Sequence, residues 1–215
     1  METTIIYYTS NIENEFFEKK IRDNILRQTD LPIISVSHKP IEFGKNICIG
    51  EKPVCYLSLW KQQLIGLKEA KTKYCITAEA DCLYPPEYFT FIPERDDLVY
   101  RYKNVWCFWD NKSRFWQKPC MEGAQMCNRK YWIERLEQVL ESHKEWQELS
   151  REGNRKIALN IFKGDDRTSW NGNPVLTFKT DKAISRKTAL SRTPAVRELP
   201  YWGEANLIHN KYLNG

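Results

Sequence analysis

Apolar residues in the first 90 positions of the chain fall into two alternating patterns. Short unbroken runs, such as residues 5–9, are typical of strands that are buried on both faces. Longer stretches, such as residues 16–26, carry apolar residues three to five positions apart, which predicts amphipathic helices. The predicted strands are 5–9, 33–37 and 74–79, and the predicted helices are 16–30 and 57–71. This order predicts an α/β fold with a mostly parallel sheet and right-handed helical crossovers.

The rest of the chain has a weaker pattern. Residues 98–109 are rich in Val, Tyr, Trp and Phe, which predicts one long strand or one arm of a hairpin at the edge of a mixed sheet. A helix with Trp132 and Leu136 on its apolar side is predicted after Gly123. The remaining predicted segments are loops at 39–53 and 164–174, a last strand at 175–178, and a basic tail at 179–215 that wraps the body.

Two acidic residues, Glu79 and Asp81, end the strand that begins at Tyr74. Side chains two apart in a strand point the same way, and neighbouring carboxylates repel each other unless a cation lies between them. Mn²⁺ or Mg²⁺ is the natural cation because both prefer oxygen ligands. The alternative is a solvated strand end with both acids in water. Since Pro85 and Pro86 stop the strand, the acids lie at its carboxyl end, where open α/β sheets bind ligands.

Length and composition narrow the class of protein. A chain of 215 residues with 41% hydrophobic content fits one compact domain with a sizeable core. No apolar run reaches the roughly 18 residues of a membrane span, and the first residues lack the basic region of a secretory signal, which predicts a cytoplasmic protein. The seven cysteines contain no Cys-x-x-Cys pair, so reduced thiols are expected. The three histidines have no zinc-finger spacing.

The positive charge is concentrated late in the chain. The formal net charge is +5, and the segment 179–197 contains six basic residues against Asp181 alone. Such a segment can follow the phosphates of a nucleotide or of a polynucleotide. The alternative is an ordinary solvated basic surface.

Two motifs together indicate a family. One is the strand ending in Glu79-Ala-Asp81, and the other is Gly123-Ala-Gln-Met-x-x-Arg129 before a helix. In this order, over roughly the first 140 residues, the chain resembles nucleotide-sugar glycosyltransferases of the GT-A fold. The resemblance implies a single domain with a mostly parallel mixed sheet flanked by helices. It divides the chain into a nucleotide-binding half at 1–100, an acceptor half at 101–178 and the basic tail at 179–215.

The resemblance also implies donor-site residues. Asp81 would bind Mn²⁺ or Mg²⁺ directly, and Glu79 would reach the metal through water or contact the donor ribose. Thr9, Ser10 and Asn11 resemble the turn that contacts the nucleotide, with Ser37 and His38 lining the base pocket. The family often adds a histidine as third metal ligand, for which this chain offers Asp181 or His209 instead. Lys179, Lys182 and Arg186 are the basic residues expected to neutralise the diphosphate.

The acceptor half contains candidate catalytic and stacking residues. Asp110 and Glu122 are the candidate bases that take the proton of an acceptor hydroxyl. Gly123 would let the backbone approach the sugar, or would simply form a turn at the start of the helix. An aromatic group could stack on a sugar or a nucleobase, or could belong to the core; it consists of Trp106, Trp109, Phe115 and Trp116.

The resemblance implies a metal-dependent transfer from a nucleotide-diphosphate sugar, most simply a UDP-sugar. Because of the basic segment, the acceptor hypothesis is double-stranded DNA with hydroxymethylated pyrimidines. In this the chain resembles bacteriophage enzymes that modify their own genome, and a phage enzyme would act in the host cytoplasm. The alternative acceptor is a saccharide of a cell envelope. Two other classes stay open, namely a metal-dependent nuclease and a noncatalytic nucleic-acid-binding module.

Overall fold

The computed structural model describes residues 2–109, 113–118, 121–161, 167–184 and 194–213. The helices are α1 (Glu15–Gln28), α2 (Tyr56–Glu69), α3 (Pro86–Phe89), α4 (Arg129–Leu140), α5 (Arg151–Ile161) and α6 (Ala205–Tyr212). The strands up to the middle of the chain are β1 (Thr3–Thr9), β2 (Ile33–Ser37), β3 (Lys45–Cys48), β4 (Tyr74–Glu79), β5 (Cys82–Leu83), β6 (Val99–Tyr102) and β7 (Val105–Trp109). The later strands are β8 (Phe115–Lys118), β9 (Gln125–Asn128), β10 (Arg167–Trp170), β11 (Val175–Lys179), β12 (Ala195–Val196), β13 (Glu198–Leu199) and β14 (Gly203–Glu204).

The larger sheet has the strand order β10-β6-β9-β4-β1-β2-β3. Its central strands β4, β1, β2 and β3 are parallel, and β9 is antiparallel to both β4 and β6. Ile5 and Tyr7 point to the side covered by α1, whereas Ile6 points to the side covered by α2 and α4. Because both faces are covered, β1 is apolar at nearly every position. The predicted α/β class with a mostly parallel, helix-flanked sheet is confirmed.

The smaller sheet has the strand order β12-β8-β7-β11-β5. Strands β7 and β11 are parallel, β7 and β8 form an antiparallel hairpin, and β5 joins the edge of β11. One face carries Phe108, Phe115 and Phe178 and packs on α1 and α6, where the Phe178 ring lies 5.1 Å from Phe17 and 5.7 Å from Tyr212. The other face is turned toward the ends of β1 and β4. The smaller sheet therefore forms a second wall beside the carboxyl edge of the larger sheet.

Several predicted elements differ from the structure. Residues 98–109 are not one strand, because a break at Lys103 and Asn104 sends β6 into the larger sheet and β7 into the smaller one. The hairpin alternative is right for β7 only. The predicted loop at 39–53 contains β3, and Asn46 on this strand donates to the hydroxyls of Ser35 and Ser37.

The late part of the chain has more regular structure than its pattern predicts. The predicted loop at 164–174 contains β10, which pairs with β6. The segment predicted as a basic tail contains β12, β13, β14 and α6. Helix α6 buries Ala205, Ile208 and Tyr212, which are three and four positions apart. This is a helical spacing, but it extends over only two turns and is hard to recognise in the sequence alone.

Candidate active site

The two acids of the first motif come together at a turn. Strand β4 ends at Glu79, and Ala80 and Asp81 form the turn into β5. Among the residues described, carboxylate oxygens of Glu79 and Asp81 and the sulfur of Cys82 lie within 4.8 Å of one another. The predicted proximity is therefore correct, but alternation along a strand is not its cause. The amide of Phe178 donates to the carbonyl of Asp81 at 2.7 Å and ties the turn to the smaller sheet.

Hydrogen bonds hold the carboxylate of Glu79. The Tyr8 hydroxyl donates to Glu79 Oε1 at 2.9 Å from the neighbouring strand position on β1. Burial and the adjacent Glu79 raise the pKa of Tyr8, so this hydroxyl stays protonated and remains a donor. The Tyr84 hydroxyl accepts from the amide of Glu79 at 2.9 Å and donates to the carbonyl of Gly123 at 2.6 Å. Residues 79–81, which carry the two carboxylates, are called the acid turn from here on. Tyr84 thus joins the acid turn to the turn at Gly123.

Position 123 must be a glycine, because the Glu79 carboxylate occupies the space that a side chain at this position would need. A Cβ atom at position 123 would lie 2.3 Å from Glu79 Cδ, well inside van der Waals contact. The glycine therefore gives room to a carboxylate of the site. The alternative of a turn at the start of the helix is right for the turn, because residues 122 and 123 form one, but β9 lies between this turn and the start of α4 at Arg129.

The carboxylates of Glu79 and Asp81 and the ammonium group of Lys179 influence one another's pKa values. Burial and then the charge of Asp81 raise the pKa of Glu79 to about 7, against the opposing effects of Lys179, Lys118 and the Tyr8 hydrogen bond. Lys179 is only 9% exposed. Its burial lowers the pKa, but the charges of Asp81 and Glu79 outweigh that effect and keep the pKa above its usual value. Lys179 is therefore a charged ammonium buried beside two carboxylates.

An open cleft of about 930 Å³, including space continuous with solvent, lies between the two sheets. The end of β1, the first turns of α2, the acid turn and the ends of β8 and β11 form its walls. The predicted site residues that line it are Thr9, Ser10, Glu79, Asp81, Glu122, Lys179 and Lys182.

The other predicted donor-site residues, Asn11, Ser37 and His38, do not line the cleft. Asn11 has a left-handed backbone with φ of 52°, and its Oδ1 accepts from the amide of Lys39 at 2.9 Å. Ser37 donates to the carbonyl of Lys39 at 2.6 Å. His38 is buried, and this burial, together with the charge of Lys52, lowers its pKa. These contacts organise the carboxyl ends of β1 and β2 next to the cleft.

The candidates for a third metal ligand are not brought to the acid pair. Asp181 is exposed and lies outside the Glu79, Asp81 and Cys82 group. His209 lies on the opposite face of the smaller sheet, where its ring is 6.0 Å from that of Phe108. Lys182 is exposed, and its Nζ donates to the carbonyl of Ile12 at 2.5 Å. The predicted base Asp110 and the predicted phosphate ligand Arg186 lie outside the described residues.

The cleft also contains residues that the sequence patterns did not single out. Lys118 comes from β8, and Tyr56 from the first turn of α2. Burial and the charge of Glu122 raise the pKa of Tyr56, against Lys179. Glu18 is 1% exposed, and its Oε1 accepts from the Thr9 hydroxyl at 3.0 Å. The short sequence distance between Thr9 and Glu18 is only a weak indication that their side chains meet. The position of Lys118 in the cleft could not be predicted, because it depends on the β7–β8 hairpin, which no local sequence motif indicates.

The acid pair fits a hard divalent cation. Glu79 and Asp81 supply two carboxylates, and a cation between them would offset both the burial and the repulsion by Asp81 that raise the pKa of Glu79. Burial and the two carboxylates raise the pKa of the Cys82 thiol. The protonated thiol donates to Asp81 Oδ1 at 3.0 Å. The donor set is therefore two oxygens with a protonated thiol behind them, which suits Mn²⁺ or Mg²⁺.

No helix in the described part of the chain combines the length and apolar character that crossing a bilayer requires. The described cysteines are free thiols: Cys48, Cys55, Cys75, Cys82, Cys107 and Cys127.

Comparisons with known proteins add information on the fold. No protein-family model matches the sequence. No curated protein matches it either. The structure is similar to residues 1–349 of S. aureus TarS, with a TM-score of 0.50 at 10% identity over 83% of this chain. The same TarS fragment in complex with UDP-GlcNAc gives a TM-score of 0.50 at 11% identity over 86% of this chain. In both comparisons the chain spans about 60% of the TarS fragment.

A second kind of protein shares the fold. The inositol-1-phosphate CTP transferase from T. maritima superposes with a TM-score of 0.53 at 11% identity, over 87% of this chain and 93% of the transferase. At such low identity, these similarities establish the architecture and leave the reaction open. The protein has a mixed α/β fold with a large, mostly parallel sheet flanked by helices, and this fold is similar to that of the TarS fragment and of the T. maritima transferase.

Proposed function

We propose that the protein is a glycosyltransferase that moves a sugar from a nucleotide-diphosphate donor, most simply a UDP-sugar, to an acceptor hydroxyl. The observation that carries this proposal is the meeting of Glu79 and Asp81 with Lys179 in one open cleft at the carboxyl end of β4. Carboxylates that hold a cation, beside a buried ammonium, suit a diphosphate that gains negative charge when its bond to the sugar breaks. The similarity to a fold that also occurs bound to UDP-GlcNAc is consistent with such a donor.

In this proposal Asp81 and Glu79 hold Mn²⁺ or Mg²⁺. The cation, when bound, neutralises charge on the departing diphosphate. Tyr8 and Gly123 keep the Glu79 carboxylate in place, the first by a hydrogen bond and the second by leaving room. Asp81 is the direct ligand and Glu79 acts through water or the donor ribose.

Two lysines, which cannot bind a metal while they are protonated, are proposed to supply positive charge at the site. Lys179 is buried next to both acids, and Lys118 interacts electrostatically with Glu79 from β8. Both ammonium groups stabilise the diphosphate as the bond to the anomeric carbon breaks. Lys182, which is held at the carbonyl of Ile12, adds positive charge at the rim of the cleft. Arg186 is also proposed to neutralise the diphosphate. Asp181 is proposed to act on the metal only through water, because it lies outside the group of Glu79, Asp81 and Cys82.

The nucleotide is proposed to lie against the end of β1. Thr9 and Ser10 line the cleft there, opposite the first turns of α2. Asn11 accepts from the amide of Lys39 and so joins the end of β1 to the segment after β2, and the carbonyl of His38 accepts from the thiol of Cys48 at the end of β3. The wall formed by Tyr56 offers an aromatic surface beside the donor.

Glu122 is the proposed base. It lines the cleft one residue before Gly123, whose turn touches Glu79. In the transfer, the bond from the anomeric carbon to the diphosphate oxygen breaks, and the acceptor oxygen bonds to that carbon. The acceptor proton passes to the Glu122 carboxylate. Asp110 is the second proposed base.

A nucleotidyltransferase is the second candidate function, because the T. maritima CTP transferase superposes over 93% of its own length. Transfer from a nucleoside triphosphate calls for backbone amides and basic side chains around the phosphates, which glycine-rich loops supply. The turn after β1, residues 10–14, reads Ser-Asn-Ile-Glu-Asn and has no glycine and no basic residue. This turn favours the glycosyltransferase.

One set of incubations separates the candidates. Purified protein with Mn²⁺ is given UDP-, GDP- and CMP-sugars in turn, and the release of free nucleotide is followed, with Asp81→Asn as control. Release of UDP or GDP from its sugar donor in the wild type alone supports the proposal, and release of CMP alone counts against a diphosphate donor. Pyrophosphate release from a nucleoside triphosphate with a sugar phosphate supports a nucleotidyltransferase, and cleavage of plasmid DNA supports a nuclease. Salt-sensitive DNA binding without any turnover supports a noncatalytic module.

Double-stranded DNA with hydroxymethylated pyrimidines remains a proposed acceptor on the ground of the basic segment 179–197. Within this segment, Lys179 belongs to the cleft and Lys182 to its rim. A DNA acceptor predicts that lysine and arginine neutralisation at 182, 186 and 187 weakens duplex binding more at low than at high salt. An equal loss at both salt concentrations would count against DNA. The cytoplasm, or the host cytoplasm for a phage enzyme, is the proposed location, consistent with free thiols.

A further inference from the structure

We infer that Cys82 is a positioning residue of the cation site, where its thiol holds the carboxylate of Asp81 beside that of Glu79. This role rests on the proposed function, because the cation is the one proposed for the donor diphosphate. Neither of the two sequence motifs includes Cys82. Tyr8 and Gly123 hold Glu79, whereas Asp81, the proposed direct ligand, needs a support of its own.

The sulfur of Cys82 faces both carboxylates of the acid turn. It lies 3.0 Å from Asp81 Oδ1 and 3.7 Å from Glu79 Oε2. A thiol has one proton, so the nearer oxygen, on Asp81, receives the hydrogen bond. Glu79 accepts from Tyr8 at its other oxygen, Oε1. Each acid of the proposed cation site thus accepts from a neutral donor outside the acid turn.

Pairing with the smaller sheet fixes the position of this sulfur. Cys82 belongs to β5, whose pairing with β11 sets Cys82 opposite Thr177. The amide of Phe178 on β11 donates to the carbonyl of Asp81 at 2.7 Å, so the acid turn and the strand after it are bonded to the same neighbour. The Cys82 side chain is fully buried, and the sulfur of Met121 lies 3.9 Å from its sulfur. The thiol therefore has little freedom to move away from Asp81.

The cross-strand partner of Cys82 adds a weaker contact to the same carboxylate. The hydroxyl of Thr177, which is also fully buried, lies 3.5 Å from Asp81 Oδ2. This distance is at the upper limit for a hydrogen bond, so the thiol is the stronger restraint. The two contacts engage different oxygens of Asp81 and together restrict its rotation. Each oxygen keeps a further lone pair that can bind a cation.

Such a restraint matters because neighbouring carboxylates repel each other. A cation needs Asp81 and Glu79 side by side, and any rotation of Asp81 that must be reversed on binding weakens the cation's affinity. A neutral donor restrains the carboxylate and leaves its charge available to the cation. Loss of a hydrogen bond to a metal ligand typically lowers metal affinity by about 10- to 100-fold. Because a thiol is a weak donor, the lower end of that range is expected for Cys82.

Calorimetric titration of Mn²⁺ into the protein, with and without UDP, tests this role. Cys82→Ala removes the donor, and Cys82→Ser restores one with a shorter reach. Packing is the competing role, because Cys82 belongs to a hydrophobic cluster. A serine in apolar surroundings is no better than an alanine, whereas a serine that donates to Asp81 is better. Cys75→Ala is the matched control, since Cys75 is equally buried but lies near the start of β4 in the other hydrophobic cluster. Thermal unfolding confirms that each variant is folded, and Cys82→Val replaces Cys82→Ala if the latter does not fold.

We expect Cys82→Ala to bind Mn²⁺ about tenfold more weakly than the wild type, and Cys82→Ser to bind it within about threefold of the wild type. Cys75→Ala should bind as the wild type does. The inference is overturned if Cys82→Ala keeps the wild-type affinity, if Cys82→Ser binds no better than Cys82→Ala, or if the wild type binds no Mn²⁺. Mn²⁺ binding that depends on Cys82 in a protein that does not bind UDP would instead contradict the glycosyltransferase and support the role of Cys82.

Discussion

The two sheets contribute opposite charges to the cleft and hold them in different ways. The larger sheet supplies Glu79, which a hydroxyl and a close-packed glycine hold in place. The smaller sheet supplies Lys118 from β8 and Lys179 from β11. The pKa of Lys179 is set by its burial and by the charges of Asp81 and Glu79. The acid side should therefore be sensitive to changes of shape, and the lysine side to changes of charge. Substitutions that separate shape from charge test this difference.

The largest effect is expected for the acid turn itself. Asp81→Asn removes the charge of the proposed metal ligand with little change in shape, and nucleotide release should fall by about a thousandfold or more. Thermal unfolding should stay close to wild type. Asp97→Asn is the matched control, because Asp97 is an exposed acid paired with Arg95 far from the cleft. Turnover of Asp81→Asn at the wild-type rate with Mn²⁺ present would refute the assignment of Asp81.

Glu18, in the cleft wall, predicts a pH dependence of stability. Burial raises its pKa from 4.5 to about 7, against the Thr9 hydrogen bond and the charge of Arg22. The folded state then holds the proton more tightly than the unfolded state. The stability linked to this group is complete below pH 4.5 and is lost as the pH rises through 7, by about 3 kcal/mol. Urea denaturation at pH 5 and 8 should show a loss of stability in both proteins, because the pKa of Glu79 is also raised to about 7. The loss should be larger in the wild type than in Glu18→Gln, by about 2 kcal/mol. The same loss in both proteins would be evidence against it.

A single methyl group tests the shape of the acid side. Gly123→Ala places a Cβ 2.3 Å from Glu79 Cδ, so the carboxylate must move and turnover should fall by about a hundredfold. Gly153→Ala in α5 is the control, because its Cβ would meet its first neighbour, the side chain of Leu149, only at 3.3 Å. That control should leave turnover unchanged. Wild-type turnover in Gly123→Ala would show that the position of Glu79 is not critical.

Charge is the property that matters at Lys179. Lys179→Met keeps most of the volume but removes the ammonium, and turnover should fall by about thirtyfold because the diphosphate loses a buried positive charge. Lys179→Arg keeps the charge and should lose only about threefold. Steady-state rates of nucleotide release measure both variants. If arginine is as harmful as methionine, shape rather than charge governs this side of the cleft.

The smallest effect is expected from one hydroxyl. Tyr8→Phe removes the donor to Glu79 Oε1 and should lower turnover by about tenfold, the value of one hydrogen bond to a charged group. Tyr74→Phe is the control, since the Tyr74 hydroxyl also donates to a carboxylate, Asp96 Oδ1, but far from the cleft. Its turnover should match the wild type. Equal losses in the two variants would point to a general effect on stability.

The larger sheet could be predicted from the sequence and the smaller one could not. Strands β1, β2 and β4 and helices α1 and α2 follow one another with strong local periodicity. The smaller sheet joins β7 to β11, some 70 positions later, and takes its edge from the two-residue strand β5. Pairing over such distances depends on tertiary packing, which local patterns do not carry.

The same distinction applies to the site. Glu79 and Asp81 were recognisable because they follow a buried strand directly. Lys118 was not, because only the β7–β8 hairpin brings it to the acids. The function of Gly123 could not be predicted either, since its neighbour Glu79 is 44 positions earlier and the contact exists only after β4 and β9 pair.

Calorimetric titration of UDP into the purified protein, with and without Mn²⁺, tests the central claim most directly. The wild type should bind UDP in the presence of Mn²⁺ and at least tenfold more weakly without it. Asp81→Asn should show the weak binding under both conditions. Absence of UDP binding by the wild type, or UDP affinity that is the same with and without Mn²⁺, would contradict a metal held by the acid turn for a nucleotide diphosphate.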